Sequence, residues 1–265
     1  MKIGELTIDR DSPMRICAEL GTLHHHQGIN GLMLATRDAF NSGADMVKVQ
    51  LIDPQTAWWA NRWQKNRYAR LIKSFPKEHW REFLKDANKE FKRPVFASVF
   101  DIPTLRFVQD AMPCVKIAWL ARRKSDLISA CIKTLPTIIS LGDDKHSISM
   151  LQNRQFNSEN TKILYVQSKY PLSDHECRIP VFGEIYNGLS IHSRNYRVFA
   201  SSVMMGAELL EVHCQSTGAN GFDTGYALTM EQLGRLVSVR DSLSSFLLPS
   251  IVGELDSYQR VVEID

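Results

Sequence analysis

The chain has 265 residues, of which 44% are hydrophobic and 23% are charged, as is usual for a soluble globular protein. Its formal net charge of +3 is too small to indicate a nucleic acid or a membrane surface as a partner. We find no long apolar stretch and no signal peptide, and the five cysteines are far apart without CxxC spacing. A cytoplasmic protein with reduced thiols and no structural zinc site is therefore expected.

Short apolar or β-branched runs alternate with longer amphipathic stretches along the chain. The runs that predict strands span residues 14–20, 46–52, 94–100, 114–119, 137–142, 162–168, 182–192 and 208–214. The stretches that predict helices span residues 31–42, 77–90, 103–111, 125–133, 144–153, 194–206 and 229–245. This alternation predicts an α/β fold with a parallel sheet closed on itself, the (β/α)8 TIM barrel. The alternative, an open doubly wound sheet, usually has a glycine-rich first turn, and this chain has no GxGxxG motif.

The two ends of the chain complete the predicted organisation. The amino-terminal sequence MKIGELTIDRDS predicts a short hairpin ahead of the barrel. We assign residues 1–250 to a single (β/α)8 barrel domain and residues 251–265 to an extended polar tail after the last helix. The length of the chain is typical of one such barrel, so no second domain is expected.

Two histidines, His192 and His213, each follow a short apolar run in the last third of the chain. In a (β/α)8 barrel the carboxyl ends of neighbouring strands share one rim, which would bring the two imidazoles together. Neutral imidazole is the commonest protein ligand for a divalent transition metal, so one hypothesis is a metal site or a general base. The alternative is that both histidines serve packing or hydrogen bonding.

Polar side chains within the predicted strands are expected at the same rim. Lys48 and Gln50 are two residues apart on one strand, so both face the same side of the sheet. A buried lysine needs a partner, either a bound anion or an ion pair with Glu19 on the neighbouring strand. Lys116 repeats this pattern, and hydroxyl side chains also lie at strand ends, namely Ser98, Ser140, Ser168 and Ser190. Ammonium and hydroxyl donors together indicate a pocket for phosphate and carboxylate groups.

Motifs from residue 15 to residue 240 match one family pattern in collinear order. They are AELGTLHHHQG at 18–28, SGADMVKVQ at 42–50, VKIAW at 115–119, PTIISLG at 136–142, LYVQSKYP at 164–171, GLSIHS at 188–193, GAELLEVHCQS at 206–216 and GFDTGYALTMEQLGRLV at 221–237. With these motifs the chain resembles the N-acylneuraminate (sialic acid) synthase family, which condenses phosphoenolpyruvate with an N-acyl hexosamine. The resemblance implies a (β/α)8 barrel.

The resemblance also implies roles for individual residues. His192 and His213 would bind a divalent metal, Mn²⁺ in typical members or Mg²⁺, that polarises the aldehyde of the acceptor sugar. The positions that would hold phosphoenolpyruvate are Lys48, Ser98, Lys116, Ser168 and Ser190. The positions that would hold the sugar or order the reactive water are Glu19, Gln50, Tyr170 and Asp223. We therefore predict as catalytic Glu19, Lys48, Lys116 and Tyr170, and as substrate-binding Gln50, Ser98, Ser140, Ser168, Ser190 and Asp223.

The reaction that the resemblance implies is a carbon–carbon bond-forming transfer. C3 of phosphoenolpyruvate attacks the aldehyde of an N-acyl hexosamine or a related aldose, water adds at C2, and phosphate leaves. The product is a 2-keto-3-deoxy sugar acid. The expected partners are thus small molecules, namely phosphoenolpyruvate and an amino sugar, and a homodimer is expected because members of the family are dimers.

Several positions depart from the family pattern. Trp119 stands where the family has a serine that contacts phosphoenolpyruvate, Ile191 replaces an aspartate, and Leu23 replaces an asparagine. Three consecutive histidines occupy residues 24–26, where the family has a single loop histidine. The chain also ends before the position of the family's small carboxyl-terminal antifreeze-like domain, which contributes an arginine to sugar binding.

Two alternative functions stay open beside the transferase, and the departures motivate the first. One is a repurposed, non-catalytic barrel that binds a ligand or a partner protein, with the Trp119 indole filling the space between Lys48 and Lys116. The other is a metal-dependent aldolase or lyase that does not use phosphoenolpyruvate. The direction of the Trp119 side chain is the feature expected to distinguish the first alternative from the transferase.

Overall fold

The structure is a computed structural model that describes residues 1–22, 27–152, 159–167, 169, 172–219, 223 and 225–244. Its strands are β1 Lys2–Ile3, β2 Leu6–Thr7, β3 Arg15–Gly21, β4 Met46–Gln50, β5 Val95–Ser98, β6 Val115–Ile117, β7 Thr137–Leu141, β8 Thr161–Tyr165, β9 Gly188–Ser190, β10 Leu209–Gln215 and β11 Leu228–Thr229. Its α-helices are α1 Gly28–Asn41, α2 Arg62–Ser74, α3 Glu78–Phe91, α4 Ile102–Val108, α5 Ser125–Thr134, α6 Lys145–Gln152, α7 Tyr196–Met204 and α8 Met230–Ser244.

Strands β3 to β10 form a closed parallel barrel. Each of them pairs with the next in chain order, and β10 pairs with both β9 and β3, which closes the sheet. Helices occupy most of the connections, because parallel neighbours need long crossover segments. Strand β11 adds to β10 in parallel at Cys214 and Gln215. The predicted (β/α)8 TIM barrel is therefore confirmed.

The amino-terminal hairpin consists of β1 and β2, which pair antiparallel with Lys2 opposite Thr7 and Ile3 opposite Leu6. Ile3 is fully buried. The Nε atom of Arg15, at the start of β3, donates a hydrogen bond to the carbonyl oxygen of Thr7 at 3.0 Å. The predicted hairpin is thus confirmed, and it is attached at the end of the barrel where the strands begin.

Apolar side chains pack on both sides of the barrel wall. On β4, Val47 and Val49 alternate with Met46 and Lys48, and all four are buried. A strand that is buried on both faces has a nearly continuous apolar sequence, so a polar residue within it requires a local partner. Helix α3 contributes the matching apolar stripe from outside the barrel, with buried residues at helical spacing that include Trp80, Phe83, Leu84 and Ala87.

Helix α2 differs from the sequence prediction, which contains no helix between residues 52 and 77. Asn61 begins the helix with a capping box, in which Asn61 and Gln64 exchange side chain–backbone hydrogen bonds of 2.9 Å. Tyr68 is the one buried residue of α2. The sequence of α2 therefore lacks the apolar periodicity that identifies the other helices.

Two further expectations concern the membrane and the end of the barrel domain. Among the helices that the structure describes, none has both the length and the apolar character needed to cross a membrane. The predicted domain boundary at residue 250 and the predicted tail, 251–265, lie outside the described residues. The division into domain and tail therefore stays a prediction.

Candidate active site

Four side chains of opposite charge meet inside the barrel, toward the carboxyl ends of its strands. They are Glu19 on β3, Lys48 on β4, Lys116 on β6 and Glu211 on β10, each at most 4% exposed. The Lys48 ammonium contacts the Glu19 carboxylate and lies 3.3 Å from Oε1 of Glu211. Nζ of Lys116 lies 3.7 Å from Oε2 of Glu211, so one carboxylate bridges both lysines. We refer to these four residues as the charged cluster.

The register of the strands explains why these side chains meet. Glu19 is opposite Lys48 on one neighbouring strand and opposite His213 on the other. Glu211 and His213 are two residues apart on β10, so both side chains face the barrel interior. Glu211 is in turn opposite Ser190 on β9. Each inward polar residue thus has inward polar neighbours.

Hydroxyl groups add hydrogen bonds to the charged cluster. Nζ of Lys48 donates to Oγ of Ser98 at 3.0 Å. Nζ of Lys116 donates to Oγ of Ser140 at 2.6 Å. Oγ of Ser190 donates at 2.8 Å to Oε1 of Glu211, the carboxylate oxygen that also faces Lys48. The site therefore combines two ammonium groups with three hydroxyl groups in a buried space.

Burial and opposite charge together set the pKa values of the charged cluster. Burial alone would raise the pKa of Glu211, but Lys116 and Lys48 lower it below its usual range. Burial would likewise lower the pKa of Lys48, but Glu19 and Glu211 raise it above its ordinary value. For Lys116 burial prevails and lowers the pKa to about 8, although Glu211 opposes the shift. Burial also raises the pKa of Glu19, against the charge of Lys48.

His192 and His213 form a pair beside the charged cluster. Their ring centroids are 4.8 Å apart, and the two residues are 6% and 5% exposed. Burial lowers the pKa of His192 to about 3. Burial, together with the neighbouring His192, holds the pKa of His213 well below its ordinary value. Both imidazoles are therefore neutral at physiological pH, which is the form that binds metals. We refer to these two residues as the histidine pair.

Asp223 and Tyr226, from the segment between β10 and β11, lie against the histidine pair. Oδ2 of Asp223 is 3.7 Å from Nδ1 of His213. The Tyr226 ring centroid is 4.9 Å from that of His192 and 5.0 Å from that of His213. The Tyr226 hydroxyl donates a hydrogen bond to the Asp223 carboxylate, and burial raises the pKa of that carboxyl group.

The donor atoms at the histidine pair suit a divalent metal. Two neutral imidazoles whose ring centroids are 4.8 Å apart offer the nitrogen ligands that first-row divalent metals accept. Within the part of the chain that the structure describes, no three His, Cys, Asp or Glu side chains are arranged as a ready metal site. A metal held by His192 and His213 would therefore need further ligands beyond these two imidazoles.

Trp119 is turned toward the connection between β7 and α6. Its Nε1 donates a hydrogen bond to Oδ2 of Asp144 at 3.1 Å. The Arg122 guanidinium lies 3.5 Å from the centroid of the indole ring and pairs with Asp144. The group between the two lysines of the charged cluster is the Glu211 carboxylate. These contacts hold the indole against Arg122 and Asp144.

Three predicted site residues remain, and two of them lie outside the described residues. Gln50 ends β4, is half-buried and lies opposite Ser98. Ser168 and Tyr170 lie outside the described residues, as do residues 23–26 with their three histidines. The structure thus brings together nine of the predicted site residues, which are Glu19, Lys48, Ser98, Lys116, Ser140, Ser190, His192, His213 and Asp223.

Glu211 and Tyr226 belong to the site but are absent from the sequence prediction. Glu211 had a detectable signal, because it precedes His213 by two residues within an apolar strand. An inward acidic residue there demands a cation as much as an inward lysine demands an anion. Tyr226 had no such signal, since it lies outside the helices and strands, whose periodicity indicates the direction of a side chain.

A closed parallel barrel with buried charges and paired histidines toward the carboxyl ends of its strands has the form of a barrel enzyme, because such barrels place their chemistry there. The chain belongs to the NeuB family, whose model matches residues 35–247. This match runs from within α1 through α8 and so includes every barrel strand except β3, and it confirms the family predicted from the motifs. No curated protein sequence matches the chain.

Solved structures share the fold at low sequence identity. N-acetylneuraminic acid (sialic acid) synthetase from Leptospira borgpetersenii serovar Hardjo-bovis is 19% identical, with a TM-score of 0.78 over 100% of this chain and 98% of that one. A spore coat polysaccharide biosynthesis protein from Bacillus subtilis is 21% identical, with a TM-score of 0.77 over 93% and 72%. Phospho-2-dehydro-3-deoxyheptonate aldolase from Thermotoga maritima is 14% identical, with a TM-score of 0.61 over 88% and 70%.

Proposed function

We propose that the chain is a sialic-acid-synthase-like transferase, which condenses phosphoenolpyruvate with an N-acyl hexosamine or a related aldose to give a 2-keto-3-deoxy sugar acid. The observation that carries this proposal is the meeting of two buried lysines, three hydroxyl groups and a histidine pair in one part of the barrel. Membership of the NeuB family supports it, as does the fold shared with a sialic acid synthetase.

The charged cluster suits the anionic groups of phosphoenolpyruvate. Lys48 and Lys116 would bind phosphate and carboxylate oxygens, with the predicted substrate-binding serines as further donors. Glu211 contacts both ammonium groups and so keeps them oriented before the substrate arrives. Donors that are fixed in advance need no reorganisation during the reaction, which is the main source of electrostatic catalysis.

The acceptor would bind on the side of the histidine pair. His192 and His213 would hold a divalent metal, Mn²⁺ or Mg²⁺, which when bound supplies Lewis-acid polarisation of the aldehyde oxygen. A cavity of about 350 Å³ adjoins His192 and includes Ser193, Arg194 and Asn195 in its wall. Hydroxyl, guanidinium and amide groups can recognise the hydroxyl and amide groups of an amino sugar.

The residues of the site would then act by orientation and by proton transfer. Holding the anionic groups of phosphoenolpyruvate against Lys48 and Lys116 places C3 toward the aldehyde of the acceptor. Glu19, whose pKa burial raises, is suited to order the water that adds at C2 and to accept its proton. Gln50, Tyr170 and Asp223 would position the sugar or this water, as the resemblance implies.

Phosphate release tests the proposal directly. The purified protein is incubated with phosphoenolpyruvate, Mn²⁺ and a panel of N-acyl hexosamines and other aldoses. Release that requires the metal and at least one sugar is expected, with a 2-keto-3-deoxy sugar acid detected by mass spectrometry. A Lys48→Met variant is the inactive control. Absence of turnover with every aldehyde, together with no bound Mn²⁺, would contradict the proposal.

The activity is expected to fall as the pH rises through about 8. Lys116 binds an anion as an ammonium ion, and burial lowers its pKa to about 8. Below that pH the group is charged, and above it the proton is lost, so kcat/KM for phosphoenolpyruvate should fall about tenfold per pH unit. Rates measured from neutral to alkaline pH test this decrease. If kcat/KM falls only near the pKa of an exposed lysine, or does not fall at all, Lys116 does not bind the substrate.

A Trp119→Ser variant is expected to leave the Kd for phosphoenolpyruvate unchanged, because the indole contacts Arg122 and Asp144. Loss of the stacking on Arg122 should lower the free energy of unfolding by about 0.5–2 kcal/mol. Calorimetry measures the Kd, and urea denaturation measures the free energy of unfolding. Trp63→Ser, at a tryptophan on α2, is the control. Clearly tighter binding by Trp119→Ser would favour the non-catalytic alternative, in which the indole blocks the pocket.

Two further parts of the proposal are a homodimer and a cytoplasmic location. The partners of the protein would be the small-molecule substrates, with no nucleic acid and no membrane. Light scattering on the purified protein measures the oligomeric state, and a monomeric mass would contradict the dimer.

A further inference from the structure

Tyr226 contacts both members of the histidine pair, yet the proposed function gives it no role. The residue is 8% exposed and also lines the cavity beside His192. Its ring stands at 84° to the His192 ring and at 83° to the His213 ring. Edge-to-face contacts of this kind have a preferred geometry, so one side chain restricts the orientation of two imidazoles.

Tyr226 is itself held in place by Asp223. The Tyr226 hydroxyl donates to the Asp223 carboxylate, and the Tyr226 and Ala227 amides donate to the Asp223 carbonyl oxygen at 3.1 Å and 3.0 Å. Gly21, at φ +55°, passes so close to the Asp223 carboxylate that a Cβ at this position would clash with it. The position of Tyr226 is therefore fixed by backbone hydrogen bonds to Asp223, to which its hydroxyl adds one more.

The orientation of an imidazole decides where its nitrogen atoms lie. A histidine that turns about its Cβ–Cγ bond moves both nitrogens, and a pair of histidines offers a common site only when both rings are fixed. Groups that contact ligand side chains commonly set the affinity of a metal site, even though they do not touch the metal. Tyr226 is in that position for both members of the histidine pair.

We propose that Tyr226 is a positioning residue for the metal that the histidine pair would hold. Its ring fixes the orientation of His192 and His213, and the backbone hydrogen bonds to Asp223 hold the ring in that place. This inference rests on the proposed function, because it requires the histidine pair to bind a metal. It assigns a residue from between β10 and β11 to the metal centre.

Titration with Mn²⁺ alone, followed by calorimetry, tests the inference without an activity measurement. The Tyr226→Ala variant is expected to bind Mn²⁺ about 10–100-fold more weakly than the natural sequence. Tyr226→Phe keeps the ring and is expected to bind nearly as tightly as the natural sequence. With Co²⁺ as a spectroscopic probe, the visible bands of Tyr226→Phe should match those of the natural sequence, and those of Tyr226→Ala should differ.

Tyr186→Phe is the matched control. Tyr186 also makes an edge-to-face contact, with Tyr165 at 5.1 Å, and its hydroxyl donates to the Gly142 carbonyl oxygen at 3.0 Å. Its removal should leave the Mn²⁺ affinity unchanged. Thermal melts establish that each variant is folded, and Tyr226→Leu replaces Tyr226→Ala if the smaller side chain prevents folding.

Each result bears on the inference differently. Equal Mn²⁺ affinity of Tyr226→Ala and the natural sequence would overturn it and leave the proposed function intact. Binding by Tyr226→Phe as weak as that of Tyr226→Ala would also overturn it, because the ring contact would then not be the cause. If the natural sequence binds neither Mn²⁺ nor Co²⁺, the metal role in the proposed function fails, and this inference fails with it.

Discussion

Replacement of Glu211 by alanine is expected to lower the free energy of unfolding by about 3–5 kcal/mol. The Glu211 carboxylate lies within 3.3 Å of the Lys48 ammonium and 3.7 Å of the Lys116 ammonium, and all three side chains are buried. Its removal leaves two ammonium groups with Glu19 as the remaining carboxylate of the charged cluster. An unbalanced buried charge is costly, so the loss should far exceed that of a surface ion pair. Urea denaturation measures it.

Glu231→Ala provides the control for this experiment. Glu231 pairs with Arg235 one helical turn away on α8, with both side chains largely exposed, so its removal should cost about 0.3–0.5 kcal/mol. The double variant Glu211→Ala, Lys116→Met should recover part of the stability, because it also removes one of the unbalanced ammonium groups. If Glu211→Ala costs no more than the control, the carboxylate does not bridge the lysines in solution.

Much of the fold was accessible from the sequence, because the strands of a parallel barrel are short apolar runs. The predicted strand 46–52 matches β4, Met46–Gln50, and the predicted strand 208–214 matches β10, Leu209–Gln215. The predicted strand 182–192 is much longer than β9, Gly188–Ser190. Its first half contains Ile185, which is 51% exposed in the connection before β9. Apolar residues in a loop resemble a strand when only their sequence is known.

Strand periodicity and motifs predicted only part of the site. Alternation along β4 places the Lys48 side chain in the interior, and the ion pair with Glu19 that was one of two open explanations is present. The sequence could not show that a second carboxylate, Glu211, contacts Lys48 as well. That contact depends on the closure of the barrel, which places β10 next to β3 although the two strands are far apart in the sequence.

The direction of Trp119 could not be predicted from the sequence either. Its position after β6 is compatible with an indole that fills the pocket and with one that turns away. The choice depends on Asp144, which follows β7 and accepts the indole hydrogen bond at 3.1 Å. It also depends on Arg122, whose guanidinium stacks on the ring. Side-chain partners from different connections therefore decide whether the departure from the family serine closes the site.

Replacement of His213 by alanine is expected to reduce turnover on the order of a thousandfold, because a bound divalent metal contributes several kcal/mol of transition-state stabilisation. His213 is one of two neutral imidazoles whose ring centroids are 4.8 Å apart. The variant should also lose Mn²⁺ binding, which calorimetry measures separately from the rate of phosphate release. His192→Ala should give the same result, since one remaining imidazole cannot replace the pair.

His79→Ala is the matched control, because His79 lies on α3 with its side chain about half exposed and pairs with Glu82. It should bind Mn²⁺ and turn over like the natural sequence. The two measurements separate the possible failures. A His213→Ala variant that keeps both Mn²⁺ binding and turnover would show that the metal is bound elsewhere. If it loses Mn²⁺ binding but keeps turnover, the condensation does not need the metal, and the lysines of the charged cluster would carry the catalysis.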